Sequence, residues 1–274
     1  MNERYELLSP IAEGGLGTVF KARDRQTGRE VAIKRLRADK TGGCGAAVDA
    51  LIREARQQSV LHHTNIVAVL EAGTDEAGGH IVMELVQGET LEDRLGRAPL
   101  SDAEFDQLVR QVLAGMSAAH AAGIIHLDLK PENIMLASQP GGGMQVKILD
   151  FGLARAIGPP DGQAEIKQGS LHGSIHFMAP EQFERAEVDA RTDIYALGCL
   201  FYYALTHRHP FDGDTKPQVM VAHLYHRVTA LAELRPDLPA HTIRWIEWLI
   251  SRQPAERPSS VAEALKAYEN GVLS

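Results

Sequence analysis

Residues 126–133 read His-Leu-Asp-Leu-Lys-Pro-Glu-Asn, and they place three side chains with complementary chemistry in one short segment. Asp128 can accept a proton from a hydroxyl group, Lys130 can neutralise a phosphoryl group, and Asn133 offers an oxygen to a divalent cation. Further along, residues 150–152 read Asp-Phe-Gly and residues 179–181 read Ala-Pro-Glu. Because Asp150 would supply a second metal-binding oxygen, this ordered set predicts phosphoryl transfer.

Two motifs near the start of the chain are suited to holding phosphate. Residues 11–19 read Ile-Ala-Glu-Gly-Gly-Leu-Gly-Thr-Val, and glycines let backbone N–H groups approach phosphate oxygens closely. Ala12 stands at the first position of the usual G-x-G-x-x-G pattern, so a glycine-rich hairpin without a ligand is the alternative. Residues 31–34 read Val-Ala-Ile-Lys. Lys34 can meet phosphate and a carboxylate together, or it can be a surface charge at a strand end.

In their order and spacing, these motifs resemble the eukaryotic-type (Hanks-type) serine/threonine protein kinase domain, a kind also found in bacteria. The resemblance covers about residues 5–270, and it includes the helix-then-strand layout from Glu54 to Val67, in which Thr64 stands where proline is common. It implies an α+β, bilobal fold that makes up one domain. Residues 1–86 would form a small lobe with a five-stranded antiparallel sheet and one helix, and residues 87–274 a larger, mainly helical lobe.

Carried over by position, the resemblance implies a catalytic set of Lys34, Glu54, Asp128 and Lys130. Lys34 would hold the α- and β-phosphates of ATP and pair with Glu54. Asp128 would orient the substrate hydroxyl and accept its proton, while Lys130 would neutralise the phosphoryl group in transit. Asn133 and Asp150 would ligate Mg²⁺, with Mn²⁺ as the alternative metal.

The same resemblance implies an ATP site built mainly from the first lobe. Met83 would be the gatekeeper, and the backbone of Glu84 and Val86 would bind adenine. The full set of predicted ATP-binding residues is Ile11, Gly14, Gly17, Val19, Ala32, Lys34, Met83, Glu84 and Val86.

The residues that follow the catalytic motif indicate the class of substrate. Lys130, two positions after Asp128, resembles the serine/threonine-specific pattern, so the implied partner is a protein substrate with serine or threonine hydroxyls. Ser174 stands where a threonine usually bridges the catalytic aspartate and lysine.

Several further residues are expected to be structural. Glu181 is predicted to pair with Arg257, Asp193 to anchor the catalytic loop from a buried helix, and His126 to lie buried beside Phe151 and Asp193. The other histidines considered as metal ligands lack a known ligand pattern, which favours surface or packing roles for His62, His63, His207, His209, His223 and His226.

Leu127 replaces the arginine of the usual His-Arg-Asp motif. In relatives that carry it, this arginine pairs with a phosphorylated residue of the activation segment and orders that segment. Leucine cannot make the charge-assisted bond, and Ser170 is the one hydroxyl residue between Gly152 and Gly173. We therefore hypothesise a non-RD kinase whose activity does not depend on activation-loop phosphorylation.

Two other functional classes compete with a protein kinase. A pseudokinase would bind nucleotide or act as a scaffold without turnover. Its usual sign is loss of Lys34, Asp128, Asn133 or Asp150, and all of these are present. A small-molecule phosphotransferase shares the aspartate–asparagine chemistry, but such enzymes generally lack the segment that ends in Ala-Pro-Glu.

Hydrophobic patterns predict the elements that must position these residues. Ser101 and Glu104 form a capping box before an amphipathic helix that runs past Met116, and Gly123 is the expected stop. Strands are predicted at 5–12, 17–24, 30–36, 66–72 and 80–85, a loop at 38–46, and further helices at 48–61, 193–206, 217–228, 241–252 and 259–270. The two lobes are expected to meet near residues 86–88.

Composition narrows the range of partners and locations. The chain has 274 residues, of which 44% are hydrophobic and 23% charged, and a net charge of −8. This charge argues against nucleic acid as a partner. The start of the chain has no apolar run typical of a signal peptide, and the longest apolar stretch, 194–205, is too short for a membrane span. Two cysteines without ligand spacing suit a reducing, cytoplasmic setting. The oligomeric state stays open.

Overall fold

The computed structural model describes residues 4–14, 17–36, 46–138, 143–151, 155–156 and 174–271. The predicted loop at 38–46 lies outside these ranges except for its last residue. Gly15, Gly152 and Ser170 also lie outside the described residues, so the predictions that concern them stay predictions.

The amino-terminal lobe is a five-stranded sheet with the strand order β1-β2-β3-β5-β4. Its strands are β1 (Tyr5–Gly14), β2 (Gly17–Asp24), β3 (Glu30–Leu36), β4 (Val69–Asp75) and β5 (Gly78–Glu84). Each neighbouring pair is antiparallel. Short connections such as the turn at residues 25–29 permit antiparallel pairing. The apolar residues of β3 are buried.

Helix α1 (Ala46–Gln58) covers one face of this sheet and contacts β4 and β5. Val48 and Ile52 lie on its buried side and pack against Leu36 of β3. The helix approaches so closely that a Cβ atom on Gly79 would lie 2.5 Å from Val48 Cγ1. Glycine at this position of β5 therefore lets α1 sit directly on the sheet.

The carboxy-terminal lobe is mainly helical, and small antiparallel sheets lie beside its helices. Its helices are α2 (Leu91–Arg97), α3 (Asp102–Ala121), α4 (Pro180–Glu184), α5 (Ala190–Thr206), α6 (Lys216–Leu224), α7 (Leu231–Leu234), α8 (Ala240–Leu249) and α9 (Val261–Asn270). Its strands are β6 (Gly88–Thr90), β7 (Ile124–Ile125), β8 (Ile134–Ser138), β9 (Met144–Ile148) and β10 (Arg155–Ala156). The order β6-β8-β9 gives a three-stranded sheet, and β10 pairs with β7.

Helix α3 is built as its sequence predicts. Ser101 accepts a hydrogen bond from the backbone of Glu104, and the Glu104 carboxylate reaches back to the Ser101 amide, which is a complete capping box. The buried side of the helix consists of the predicted apolar set Phe105, Leu108, Val109, Val112, Leu113 and Met116, joined by Gly115 and Ala119. These residues and the buried side of α5 form the centre of the main hydrophobic core.

The α+β fold with a five-stranded antiparallel sheet and a helical second lobe is confirmed, but some element boundaries were wrong. The strand predicted at 66–72 begins only at Val69, because residues 65–67 bond to the carboxy-terminal lobe instead. The helix predicted at 217–228 ends at Leu224. The strands β6, β8 and β9 and helix α2 were not predicted, since they are short and carry weak periodicity.

No helix among the described residues combines the length and apolar character needed to cross a membrane.

Candidate active site

The loop between β7 and the 3-10 turn Pro131–Asn133 is held in place by one buried carboxylate from α5. Asp193, which is 0% exposed, accepts hydrogen bonds from the backbone amides of His126 and Leu127, each at 2.8 Å. His120 Nε2 also lies 2.8 Å from Asp193 Oδ2. Leu127 has a φ of 63°, in the left-handed region that leucine avoids. A strained conformation of this kind persists only where surrounding bonds hold it. The bonds from Asp193 hold the loop here, so Asp193 is a scaffold residue as predicted.

His126 is a structural residue whose two ring nitrogens are both engaged. Its Nδ1 accepts a hydrogen bond from the Asp128 amide at 3.2 Å, so Nδ1 carries no proton. Its Nε2 must then donate to the Leu149 carbonyl, which lies at 2.9 Å. The ring is buried and lies 4.5 Å from the ring of Phe151. The predicted structural role of His126 is therefore confirmed.

Asp128, Lys130 and Asn133 converge at the end of this loop. Lys130 Nζ lies 3.0 Å from Asp128 Oδ2. The Asn133 side chain is buried, and its Nδ2 donates to the Asp128 carbonyl at 2.7 Å and to Asp128 Oδ2 at 3.3 Å. These bonds fix both the direction of the Asp128 carboxylate and the orientation of the Asn133 amide. The amide oxygen of Asn133 consequently faces away from Asp128.

Lys34 and Asp150 meet across the space between the two lobes. Lys34 lies on β3, opposite Val19 of β2 and Ile81 of β5, and is only 9% exposed. Its Nζ lies 2.7 Å from Asp150 Oδ2. Asp150 has a φ of 48°, so it is a second residue other than glycine in the left-handed conformation. Sequence reasoning gave these residues separate roles and missed this direct ion pair.

The predicted pairing of Lys34 with Glu54 stays a prediction. Glu54 belongs to helix α1, which packs behind β4 and β5, but its side chain lies outside the part of the chain that the structure describes.

The residues predicted to hold ATP lie along one part of the first sheet. Ala32 is buried on β3 and pairs in register with Met83 of β5. Ile11 lies on β1, Gly14 and Gly17 pair at the β1–β2 turn, Val19 lies on β2, Glu84 ends β5, and Val86 follows β5. A Cβ atom on Gly17 would lie 1.8 Å from the Arg35 carbonyl oxygen, so only glycine fits at that position. This close approach belongs to the pairing of β2 with β3, so the predicted role of Gly17 in ATP binding stays a prediction.

The side chain of Glu84 is engaged in holding the connection between the lobes. Its Oε1 accepts a hydrogen bond from the Ala68 amide at 2.9 Å and lies 2.5 Å from Lys147 Nζ of β9. The predicted role of Glu84 in adenine binding concerns its backbone, and this ion pair leaves that prediction open.

The segment after residue 173 forms a platform beside the catalytic loop. A 3-10 turn, Ser174–Phe177, leads into α4. Glu181 of α4 and Arg257 form a buried, two-pronged ion pair with N–O distances of 2.7 and 2.9 Å, as predicted. Thr192 adds a hydroxyl bond to Glu181 at 2.9 Å. The side chain of Ser174 lies outside the described residues, so its bridging role stays a prediction.

Histidine and tyrosine rings pack together beneath this platform. His176 stacks on His209 with ring centroids 3.8 Å apart, and Tyr203 stacks on the other side of His209. Burial, and then the nearby His176, lowers the pKa of His209 to about 4. Burial, and then neighbouring histidines, lowers the pKa of His223 to about 3, and its Nδ1 lies 2.8 Å from the Tyr195 hydroxyl. Within the described residues, no group of three or more His, Cys, Asp or Glu side chains could hold a metal ion. Packing roles for His209 and His223 are confirmed.

Comparison with known proteins gives a consistent answer. The family model described as protein kinase domain matches residues 5–268. The chain is 38% identical over 270 residues to the serine/threonine-protein kinase pkn3 of Myxococcus xanthus, covering 96% of this chain and 49% of that protein. It is 35% identical over 280 residues to pkn2 of the same organism, a match that covers 99% of this chain and 33% of that kinase. It is 34% identical over 240 residues to the probable serine/threonine-protein kinase PknB of Lactococcus lactis, covering 86% and 37%. The chain thus spans half or less of the length of these relatives.

Proposed function

The chain belongs to the protein kinase family, and on that premise we propose that it transfers the γ-phosphoryl group of ATP to serine and threonine hydroxyls of protein substrates. The observation that carries the proposal is the convergence of Asp128, Lys130 and Asn133, with Asp128 Oδ2 within 3.0 Å of Lys130 and 3.3 Å of Asn133. The relatives with matching sequences are named serine/threonine-protein kinases. Their names support the same reaction here.

Asp128 acts on the hydroxyl that receives the phosphoryl group. As the substrate oxygen forms its bond to the γ-phosphorus, its proton passes to the Asp128 carboxylate. The bond from the γ-phosphorus to the bridging oxygen breaks, and ADP leaves with the electron pair. Asn133 and Lys130 hold the carboxylate in one direction through the contacts described above, and alignment of this kind is the main contribution of a protein to phosphoryl transfer.

Lys130 and Lys34 would both neutralise negative charge on the phosphates of ATP. Lys130 lies in the catalytic loop, next to the carboxylate that meets the substrate. Lys34 extends from β3, where it is nearly buried, and a buried cation acts strongly on charge because water screens it little. Lys34 holds the α- and β-phosphates, and its bond to Asp150 links the phosphate site to the metal site.

The donor atoms near the catalytic loop fit a hard divalent cation, and we assign Mg²⁺. Asn133 presents an amide oxygen, because its nitrogen is committed to Asp128, and Asp150 presents a carboxylate. Oxygen donors of this kind are the ligands that Mg²⁺ prefers. When bound, the ion supplies charge neutralisation at the β- and γ-phosphate oxygens. Asn133 and Asp150 would hold the ion through these oxygens.

A phosphorylation assay decides between this function and its alternatives. The chain is incubated with γ-labelled ATP and a generic basic protein, with and without Mg²⁺, and with and without small-molecule acceptors. We expect Mg²⁺-dependent label on serine and threonine of the protein. Nucleotide binding without any transfer would indicate a pseudokinase, and transfer to small molecules alone would indicate a small-molecule phosphotransferase.

We further propose that activity does not require a phosphorylated activation segment. Leu127 brings no charge to the loop, and its conformation is set by Asp193 through the amide and by Gln182 Nε2, which donates to the Leu127 carbonyl at 3.4 Å. Bonds that need no phosphate therefore hold the catalytic loop. Ser170 lies outside the described residues.

The test combines phosphatase treatment with the Ser170→Ala variant. Both preparations are expected to keep wild-type initial rates, because no cation at position 127 is available to receive a phosphate. A large loss of rate in both would contradict the proposal. The division of the lobes near residues 86–88 and the cytoplasmic location also stay predictions.

A further inference from the structure

A small cavity lies behind the Lys34–Asp150 ion pair, between β3, β5 and helix α1. Its volume is about 30 Å³. Most of its wall is apolar and includes Leu36, Val69 and Phe151. The polar part of the wall consists of Lys34, Asp150 and Gln58.

Gln58 is the unusual member of this wall. It lies at the carboxyl end of α1 and is only 8% exposed. Its backbone carbonyl accepts a hydrogen bond from the Leu61 amide at 2.8 Å. Its side-chain amide makes no hydrogen bond to the residues that the structure describes, and its polar atoms are not among those enclosed without a partner, so a water molecule can reach them. Because Gln58 lines the cavity, a water molecule held in the cavity can bond to this amide.

The size of the cavity decides the class of that partner. A cavity needs roughly 10–15 Å³ to hold a water molecule, and the water needs two to four polar contacts. A volume of about 30 Å³ therefore accommodates one or two waters.

We propose that this cavity is a water site in which the Gln58 amide, through one or two ordered waters, supports the Lys34–Asp150 pair. Gln58 is then a positioning residue for Asp150, whose Oδ2 is fixed on one side by Lys34 at 2.7 Å. The consequence for metal binding rests on the proposed function. Groups that orient a metal ligand without touching the metal typically change metal affinity about 10–100-fold when they are removed.

The first test looks for the water directly in the wild-type chain. A high-resolution crystal structure is expected to show water within hydrogen-bond distance of the Gln58 side chain and of Lys34 or Asp150. Nuclear Overhauser transfer from water to the Gln58 amide protons measures the same contact in solution. A wild-type structure with a dry cavity overturns the proposal, whether or not the protein has kinase activity.

The second test uses Gln58→Met, which keeps the length and burial of the side chain but removes its hydrogen bonds. Binding of a fluorescent ATP analogue is measured as a function of Mg²⁺ concentration. We expect the Mg²⁺ concentration at half-saturation to rise about tenfold. Unchanged Mg²⁺ dependence in the folded variant overturns the proposal.

A matched control separates this effect from disturbance of the helix end. Ser59→Ala removes the bond from Ser59 Oγ to the Arg56 carbonyl, 2.7 Å long, at the same end of α1 but outside the cavity. It is expected to leave the Mg²⁺ dependence unchanged, and an equal shift in both variants overturns the proposal. If Gln58→Met does not fold, the wild-type water measurement decides alone. Because both readouts omit phosphoryl transfer, failure of the proposed kinase reaction remains distinguishable.

Discussion

At the scale of single residues, the polar side chains of the catalytic loop constrain one another through direct contacts. Asn133 binds both the carbonyl and the carboxylate of Asp128, and this leaves its own oxygen directed elsewhere. Lys130 Nζ contacts the same carboxylate oxygen, Asp128 Oδ2, at 3.0 Å. Asp128 is thus aligned before any substrate arrives, which removes part of the entropic cost of the reaction.

Replacement of Asp128 tests this alignment. Asp128→Ala should leave ATP binding largely intact and reduce the phosphoryl-transfer rate by about 10²–10⁴, the usual contribution of a positioned acid–base group. The measurements are nucleotide affinity and the initial rate with labelled ATP. A suitable control is Asp106→Ala, since Asp106 lies on α3 and its described contacts are with Arg110 and Tyr268, which lie outside the catalytic loop. Near-normal turnover in Asp128→Ala would refute the assigned role.

At the scale of elements, the site depends on segments that reach across the fold. Asp193 of helix α5 accepts hydrogen bonds from the backbone of the catalytic loop. Residues 65–67, which follow α1, bond to Ile148 of β9. The Val67 amide donates to the Ile148 carbonyl at 2.9 Å, and the Ile148 amide donates to the Asn65 carbonyl at 2.9 Å. Asn65 Nδ2 adds a bond to the Val146 carbonyl at 2.8 Å. The helix that carries Glu54 and Gln58 is therefore tied to the lobe that carries Asp128.

Asp193→Asn tests how far the loop depends on α5. An amide has one oxygen where the carboxylate has two, so one of the two backbone amides loses its acceptor and faces an NH₂ group. We expect the free energy of unfolding to fall by about 1–3 kcal/mol and the transfer rate to fall with it, because Leu127 would leave its left-handed conformation.

Denaturant unfolding and initial rates measure these two effects. Asp189→Asn is the control at the start of the same helix, since asparagine caps a helix about as well as aspartate. Equal stability and rate in Asp193→Asn and the wild type would show that the loop is held by other contacts.

At the scale of the whole molecule, the main core lies in the helical lobe, and smaller clusters lie around the first sheet. The large core joins α3, α5, α8 and α9 around Leu113, Phe201 and Trp245. The first sheet has separate small clusters, one around Ile33 and Val82 and one between Leu36 and α1. The platform that follows residue 173 packs on the large core beside His209, which is half-buried, and His223, which is buried, and desolvation lowers the pKa of both rings. Its stability is therefore sensitive to acid.

The pH dependence of stability follows from His209 and His223. Their pKa values in the folded chain are about 4 and about 3, below the ordinary value of 6.5. Between pH 6.5 and 4 the unfolded chain consequently binds more protons than the folded one. The free energy of unfolding should be highest above that range and fall as the pH is lowered through it.

Denaturant titrations at several pH values measure this effect. His209→Phe keeps a ring against His176 and Tyr203 but removes one titrating group, so its stability should fall less steeply. Carboxylates that are bonded to arginine act at lower pH, since hydrogen bonds from Arg4 and Arg35 lower the pKa values of Asp24 and Asp75 to about 2 from an ordinary 3.8. A wild-type stability that is flat down to pH 4 would contradict the prediction.

The sequence alone identified the family and most long elements, and it carries the residues of the proposed chemistry. Strands β2 and β3 and helix α3 follow local patterns and short turns, and the catalytic motif carries its reactive groups within eight positions. Local physics is enough for such features, because neighbours in the chain make the contacts. The spacing of Asp128 and Asn133 already required them to be close.

Only the tertiary structure decided the contacts between distant segments. Lys34 and Asp150 are separated by 116 positions, yet they form a 2.7 Å ion pair. The neutral state of His209 depends on burial by surrounding elements, and the exposure of the Gln58 amide to a cavity depends on how α1 sits on the sheet. No local pattern encodes these distances, since they result from how two lobes and their cores pack. Short sequence motifs therefore specify which reactive groups are present, whereas the packing of distant segments determines how these groups are aligned.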